Sequence, residues 1–585
     1  AAAMARALVL GESDLLSADD RAFKASGLAH LLAVSGTHLV FAVVALVRAL
    51  TALLVRVEHL AARFDVTRGA AAVGALAALV YADYAGGTGS AWRAAWMLAV
   101  VFGVRALGRR VAPGRALALS VVIGAALEPL CAFDVSFMLS AAATLGLLWA
   151  GSPLSLRLAP CRPAPLRWLS QSLVVTVCAM LACAPLLAVF SPGLTAAGAF
   201  ANVLAAPLGE VVALPLCLGH ALLGGAPALE RGAALVASGA LLLVKKLAHL
   251  SAGVRVLAFH LPVPSPWHWV LIATGAIGVA SVPPARARAF RMAWLAATFA
   301  GLFLLECAQD RARAPTGRLR VTVLDVGQGD SLLVDFPDGR AMLIDGGGVV
   351  GTDVDPGKLV ILPLLRGRRR ARIDVVVLTH PHPDHFLGLV SVADAIPIGE
   401  FWDSGQGEEE GAGVTYAGLV RTLRMRGVPV RRPGALCDRP RSFGGATVEV
   451  LAPCPNFVAR RPPNDNSFVL RIRYRERVAL LMGDAEALEE GELVERLGGS
   501  LRADFLKVGH HGSRTSSTPS FIREVDPWLS VISCGVRNRF GHPHAQTLEL
   551  LGHRSVGMAR TDRFGSVMWQ TDGRSLEARA FSMFH

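Results

Sequence analysis

The stretch "THPHPDHFLG", residues 379–388, places His380, His382, Asp384 and His385 within six positions. Neutral imidazoles beside a carboxylate are the donor set that zinc and manganese take. The stretch follows the apolar run "DVVVL", so these ligands stand at the end of a buried strand. Other segments end the same way. "AMLIDGGG" ends at Asp345, "RVALLMGD" at Asp484, and "ADFLKVGHHGS" at His510 and His511. Asp484 could bridge two ions, and either His510 or His511 could add another imidazole. Two ions about 3.5–4 Å apart would clamp a transferring phosphoryl group. An isolated HxH pair reads more simply as surface histidines. HxHxDH after a strand, followed by a strand-end aspartate and histidine, favours a metal site.

The elements that must position these residues are strands. From Leu319 the sequence alternates with period two, as in "LRVTVLDVGQGDSLLVDF", two strands around a Gly-Gln-Gly-Asp turn. "SFVLRIRYRERVALLMGD" reads as a hairpin, and helical stretches intervene at 412–426 and 486–497. Ligands at the ends of successive strands gather on one rim of a sheet, which is how a rigid fold builds a site from distant segments.

The remainder of the chain is of another kind. Mean hydropathy over the 585 residues is +0.47, with 53% hydrophobic and 18% charged residues, which fits an integral membrane protein better than a soluble enzyme. With about 20 residues as the yardstick, about ten apolar spans are expected: roughly 31–55, 69–84, 92–107, 114–130, 134–150, 168–190, 198–222, 232–250, 267–282 and 290–307. Pro207 and Pro215 predict a broken helix in the seventh. The loops holding Arg56/Arg63/Arg68, Arg105/Arg109/Arg110, Arg157/Arg162/Arg167 and Arg286/Arg288/Arg291 are basic, and the alternate loops are not. The positive-inside rule makes the basic loops cytoplasmic and puts the segment from Arg318 onward outside the cytoplasm.

Polar residues inside the spans mark a candidate transport path: His30, Ser35 and His38 in "HLLAVSGTHLV", Arg93, Asn202 and Glu210, with Glu128 and Asp134 flanking a hairpin turn. The plain alternative places His30 and Arg93 at the interface and bonds Ser35 to its own helix. The net charge of +13 is weak evidence for a nucleic-acid partner. From Arg318 onward 34 Lys+Arg face 32 Asp+Glu, so most of the excess lies between the spans. Six of nine cysteines lie in the apolar half. Cys437, Cys454 and Cys534 admit one disulfide on an oxidising side, though no spacing demands it. The opening "AAAMARALVLGESDLL" is not a signal peptide and reads like the interior of a longer chain.

"DVGQGDSLLV", "LIDGGG", "LTHPHPDHFLGL", "LLMGDAE" and "LKVGHHGS" resemble the metallo-β-lactamase superfamily, in the branch that ends ComEC-type DNA-internalisation proteins. "GLAHLLAVSGTHLV", "SAWRAAWML", "EPLCAFDVSFMLSAAATLGLL" and "ANVLAAPLGEVVALP" resemble that family's competence domain. The resemblance implies a polytopic α-helical membrane domain, residues 1–310, followed by an α/β metallo-β-lactamase-like αββα sandwich, residues 318–585. It implies a multi-pass protein of the bacterial inner membrane that passes one DNA strand into the cytoplasm, with competence DNA receptors and cytoplasmic translocation partners. The sandwich would degrade the other strand. His380 and His382 would hold one divalent ion, manganese or zinc. Asp384, His385 and His510 or His511 would hold a second, with Asp484 between them. Asp345 would orient the histidine loop, and Lys507, Ser513 and His542 would contact phosphate or the leaving oxygen.

Two departures stand out. No histidine occurs from Phe386 to Gly509, so the first metal site lacks a ligand, and Asn464, Asp465 or Asn466 is expected near that gap. Single-metal binding, or manganese in place of zinc, follows as an expectation. The family commonly carries an N-terminal domain between early spans, and this sequence is expected to begin after where that domain would sit. Arginines 366–370 ("RGRRR") and those of 421–441 are candidates for non-specific DNA contact, or plain solvated loops. Two other readings stay open. One is a membrane-anchored hydrolase of another phosphoester, and the other is a channel with a non-catalytic metal domain.

Overall fold

The computed structural model describes all residues except 1, 13, 33–35, 152–162, 191–192, 221–224, 255–257, 261, 282–286, 313–315, 350, 353, 537, 555–556 and 582–585. Ser35, Arg157, Arg162 and Arg286 therefore lie outside the described residues. Contacts divide the chain into two compact units, Ala1–Ser265 and Pro266–His585. This boundary precedes the change in composition near 310–318. The apolar helices Pro266–Ser281 and Ala287–Ala312 pair with each other, and Arg369 of the second unit binds Glu306 and Gln309 of the latter helix.

The first unit is helical. Leu, Ala and Val fill Gly36–Val55, Val66–Tyr84, Gly89–Ala106, Pro113–Leu127, Val135–Gly146, Ala164–Phe190, Ala196–His220 and Pro227–Gly253. Starts follow local chemistry: Asp65, Thr88 and Asp134 accept from the N–H groups of Thr67, Ala91 and Phe137. Among the described residues, five helices are long and apolar enough to cross a membrane: Ala29–Val55, Val66–Tyr84, Ala164–Val189, Ala196–His220 and Pro227–Gly253. Pro207 does not break its helix as expected. Residues Pro207–Ala213 widen into a π-helical stretch between two α-helical pieces, which absorbs the missing N–H without ending the rod.

The second unit carries two sheets face to face. One runs Leu576–Phe581, Ser566–Thr571, Leu319–Val323, Leu332–Asp335, Ala341–Ile344, Ile373–Leu378, Ile398–Asp403, Val430–Arg431. The other runs Gly557–Arg560, Leu529–Ile532, Phe505–Lys507, Arg477–Leu481, Val469–Tyr474, Ala446–Ala452, Arg441–Phe443. In each sheet the strands that end in candidate ligands are parallel or lie where parallel meets antiparallel pairing. Alternate residues such as Val321, Val334, Val375, Ile472, Leu481 and Phe505 fill the space between the sheets. Helices Pro383–Ala395 and Gly413–Met425 cover one outer face, and Ala487–Leu497, Pro519–Val525 and Ala545–Arg554 the other. This is an αββα sandwich. Cys437 and Cys454 are disulfide-bonded, with Cα atoms 5.8 Å apart.

Seven arginines of the two runs are committed internally. Arg368 and Arg370 pair with the buried Asp335, and Arg369 with Glu306. Arg424, Arg426, Arg431 and Arg432 pair with Glu408, Asp394, Glu400 and Asp403. The expectation that these runs face DNA is corrected to this extent. Their acidic partners lie far away in sequence, where composition could not reveal them.

Candidate metal centre

Strand Ile373–Leu378, apolar toward both covered faces but for Asp374 near its start, delivers Thr379 and His380 to its carboxyl end. His382 then stands immediately before helix Pro383–Ala395, whose Pro383 fits the first helical position. The helix amino end favours the Asp384 carboxylate in its first turn. Gly329 lets the neighbouring turn approach: a Cβ there would meet the Asp384 carbonyl oxygen at 1.8 Å.

The neighbouring strand Ala341–Ile344 ends at Asp345, which adopts φ 58°. Its carboxylate accepts from the Thr379 N–H at 2.8 Å and hydroxyl at 2.7 Å, and from His385 Nδ1 at 2.8 Å. Holding Nδ1 this way turns His385 Nε2 toward the centre. The opposite sheet contributes Asp484 after Arg477–Leu481, and His511 after Phe505–Lys507. His511 donates from Nδ1 to the Ser533 carbonyl at 3.0 Å and lies 3.3 Å from Asp330 Oδ1, which again frees Nε2.

These atoms converge. Asp484 Oδ2 lies 3.3 Å from His385 Nε2, 3.4 Å from His511 Nε2 and 4.0 Å from His380 Nε2. Asp384 Oδ2 lies 3.7 Å from His511 Nε2. His380, His385 and Asp484 form one group, and Asp384, His385 and His511 another, with ligand atoms within 4.8 Å in each. His380 Nε2, His385 Nε2, His511 Nε2 and Asp484 Oδ1 are buried and make no hydrogen bond. Buried polar atoms left unpaired cost about 1–3 kcal/mol each. Several aimed at one point fit a divalent cation, and imidazole with carboxylate fits zinc or manganese.

Electrostatics agree. Burial works against charge on His385 and His511, yet Asp484 and the other nearby carboxylates hold both rings well above the usual histidine range. Burial also opposes the Asp484 charge, but His511 and His385 hold it well below the ordinary carboxylate range. His380 and His382 are pushed down by burial and present neutral rings.

The remaining expected residues divide. His382 stands beside His380, with ring centroids 4.5 Å apart, but joins none of the three-ligand groups among the described residues. His510 turns to Glu486, with Nδ1 2.7 Å from Oε1, and stays 4.0 Å from Asp484 Oδ2. Asn464 donates to Glu486 at 3.0 Å and lies 3.5 Å from the His510 ring nitrogens. Asn466 accepts from Val458 N–H at 2.8 Å and donates to its carbonyl at 3.0 Å, which ties a loop. Ser513 bonds Thr515. The His542 ring is 6.4 Å from that of His511, and its pKa is pushed down to about 4 by burial and the neighbouring histidines. Lys507 is neither a solvated strand residue nor turned to the opening. It is fully buried and ion-paired with Asp330. Asp330 is the residue that sequence reasoning missed. Its signal was the "GQGDS" turn, read only as a chain reversal.

In the helical unit several of the polar residues find partners. Glu210, in the π-helical stretch, accepts from Thr37 at 3.1 Å. Arg93 is 4% exposed and donates to Ser140 at 2.8 Å. Asn202 donates to Thr176 at 3.1 Å. His38 is buried, and His30 Nδ1 meets the Gly27 carbonyl at 3.0 Å. A buried guanidinium needs hydrogen-bond partners, and Ser140 supplies one. Glu128 is exposed at the hairpin turn, and Asp134 is a helix cap.

Asp345→Asn keeps the shape of the side chain but weakens its hold on His385. Metal affinity is expected to fall about 10- to 100-fold, measured by competition with a chelating dye. Unchanged affinity would show that Asp345 does not orient the ligand.

Residues 8–286 match the family model described as Competence protein, and residues 324–536 that of the Metallo-beta-lactamase superfamily. The chain is 27% identical over 580 residues to "ComE operon protein 3" of Bacillus subtilis (strain 168), covering 94% of this chain and 69% of that one. It is 28% identical over 586 residues to "Competence protein ComA" of Neisseria gonorrhoeae, covering 99% and 76%. Among solved structures, the diiron β-hydroxylase CmlA of Streptomyces venezuelae aligns over 41% of this chain and 52% of its own, at 15% identity and a TM-score of 0.27. Similarity at that level carries no functional information.

Proposed function

With residues 8–286 belonging to the competence protein family and residues 324–536 to the metallo-β-lactamase superfamily, we propose that this chain takes up DNA in natural transformation. The helical unit passes one strand across the membrane into the cytoplasm. The sandwich hydrolyses phosphodiester bonds of the other strand. The observation that carries the hydrolytic half is the convergence of His380, His385, His511, Asp384 and Asp484, several of their buried ligand atoms unpaired, on the rim of the sandwich.

His380, His385, His511, Asp384 and Asp484 would hold one or two divalent ions, manganese or zinc. A bound ion supplies a Lewis acid for a phosphoryl oxygen and lowers the pKa of water. Asp345 and Asp330, with the Ser533 carbonyl, keep the His385 and His511 rings oriented and their Nε2 atoms directed inward. Burial of His380, His385 and Asp484 keeps bulk water from competing at their ligand atoms. Of the donor pairs expected from sequence, His511 fits the ligand role better than His510, which is engaged by Glu486.

Polar side chains within a span favour passage over a mere anchor, because an anchor has no use for Asn202 or Glu210. Reconstitution in a planar bilayer tests this. Conductance that single-stranded DNA blocks and duplex does not is expected, and equal block by both would contradict strand selection. A DNA receptor on the outside and a cytoplasmic translocation partner complete the reading.

We place the sandwich outside the cytoplasm. The basic loops support this orientation, and so does the Cys437–Cys454 bond, since such bonds persist in oxidising compartments. In intact cells a membrane-impermeant maleimide is expected to label Cys437 and Cys454 only after mild impermeant reduction. Labelling only after lysis, with no prior reduction, would put the domain inside.

A further inference from the structure

Phe540 is 49% exposed on the loop between Gly535 and Pro543, beside the metal centre. The loop is stapled by one side chain. Asn538 Oδ1 accepts from the N–H groups of Phe540 at 3.2 Å and His542 at 3.0 Å. Asn538 Nδ2 donates to the carbonyls of Gly535 at 3.1 Å and His542 at 2.6 Å. The loop base also sits tightly on the turn that carries Asp330: a Cβ on Gly535 would meet Gln328 Oε1 at 2.8 Å and the Gly327 carbonyl at 3.0 Å. The Asn538 hydrogen bonds hold the segment from Asn538 to His542 that presents Phe540.

Its ring lies nearly parallel to that of His542, with centroids 5.9 Å apart and planes 21° apart. His542 in turn lies 5.5 Å from the His510 ring and 6.4 Å from the His511 ring. The rings lead outward from the cluster as one strip. The Arg539 guanidinium sits 5.0 Å from the Phe540 centroid, so a cation and an aromatic face occur together. Arg514, which directly follows the His510–Ser513 segment, is exposed as well.

We propose that Phe540 and His542 form a stacking platform for the nucleobase next to the scissile phosphodiester, with Arg539 beside the neighbouring phosphate. The proposal rests on the hydrolytic reading above and names the part of the substrate that gives affinity. Stacking suits a site that must accept any sequence, because every base has a π-face. It also needs an unpaired base, which directs the site to single strands.

The test uses the full chain in detergent with manganese, and compares an oligothymidylate with an abasic strand of equal length. Binding is read by fluorescence anisotropy and cleavage by gel. Phe540→Ala is expected to raise KM and Kd for the oligothymidylate about tenfold, a typical loss for one stacked base, with kcat little changed. On the abasic strand the variant and the wild type should match, and Phe540→Trp should retain affinity for the oligothymidylate. Cleavage with the same KM in Phe540→Ala, or no wild-type preference for bases, would overturn the platform and leave the nuclease standing. Base-dependent binding lost in Phe540→Ala, without cleavage by the wild type, would keep the platform and remove the nuclease. Neither binding nor cleavage would remove both.

Discussion

Asp484→Asn is expected to lower metal-dependent DNA cleavage by more than about 100-fold, since losing only an outer partner of a metal ligand already costs about 10- to 100-fold. The substitution is nearly isosteric, so the packing around residue 484 survives. What disappears is the negative charge that lies 3.3 Å from His385 Nε2 and 3.4 Å from His511 Nε2. Without it the two groups of ligands lose the oxygen that stands between them. Metal content by mass spectrometry should fall together with cleavage. Full cleavage with full metal content in the variant would remove Asp484 from the centre.

The second large effect is on stability. Lys507→Met leaves the Asp330 carboxylate buried without its cation, in a position where both partners are essentially inaccessible. Breaking one side of such a pair costs about 3–5 kcal/mol. The sandwich should therefore melt earlier, and amides of strands Phe505–Lys507 and Leu529–Ile532 should exchange faster. Adding Asp330→Asn to Lys507→Met should recover much of the loss, because no uncompensated charge then remains. A melting midpoint unchanged in the single variant would show that the pair is not closed to water. Because Asp330 also faces His511 Nδ1, the double variant should bind metal less tightly.

Much of this was legible because strand ends announce themselves. An apolar run that stops at Asp345, His380, Asp484 or His511 places each ligand on a rim, and both sheets deliver theirs to the same side. Apolar runs likewise marked the helices, although length and hydropathy admit five of them as membrane spans among the described residues. What stayed hidden depended on contacts between distant segments. The choice between His510 and His511 turns on two consecutive residues at φ 42° and 54°, which send the rings in different directions. Asp330 looked like a turn residue because its partner Lys507 is 177 positions away. Arg368, Arg369 and Arg370 of "RGRRR" looked free because Asp335 and Glu306 are not their neighbours in sequence. The disulfide could not be read from a separation of 17 residues, since only the fold brings those two loops together.

The central claim is that the rim cluster is a metal-dependent centre that cuts DNA. The direct measurement is cleavage by the purified full chain, stripped of metal and reloaded with manganese or zinc in turn. Single-stranded DNA, duplex DNA and a simple phosphodiester are the substrates, with Asp384→Ala alongside. The account predicts DNA cleavage that requires the metal, exceeds that of the simple ester and is lost in the variant. Metal bound at the cluster with ester hydrolysis but no DNA cleavage, or DNA cleavage that persists in Asp384→Ala, would contradict it.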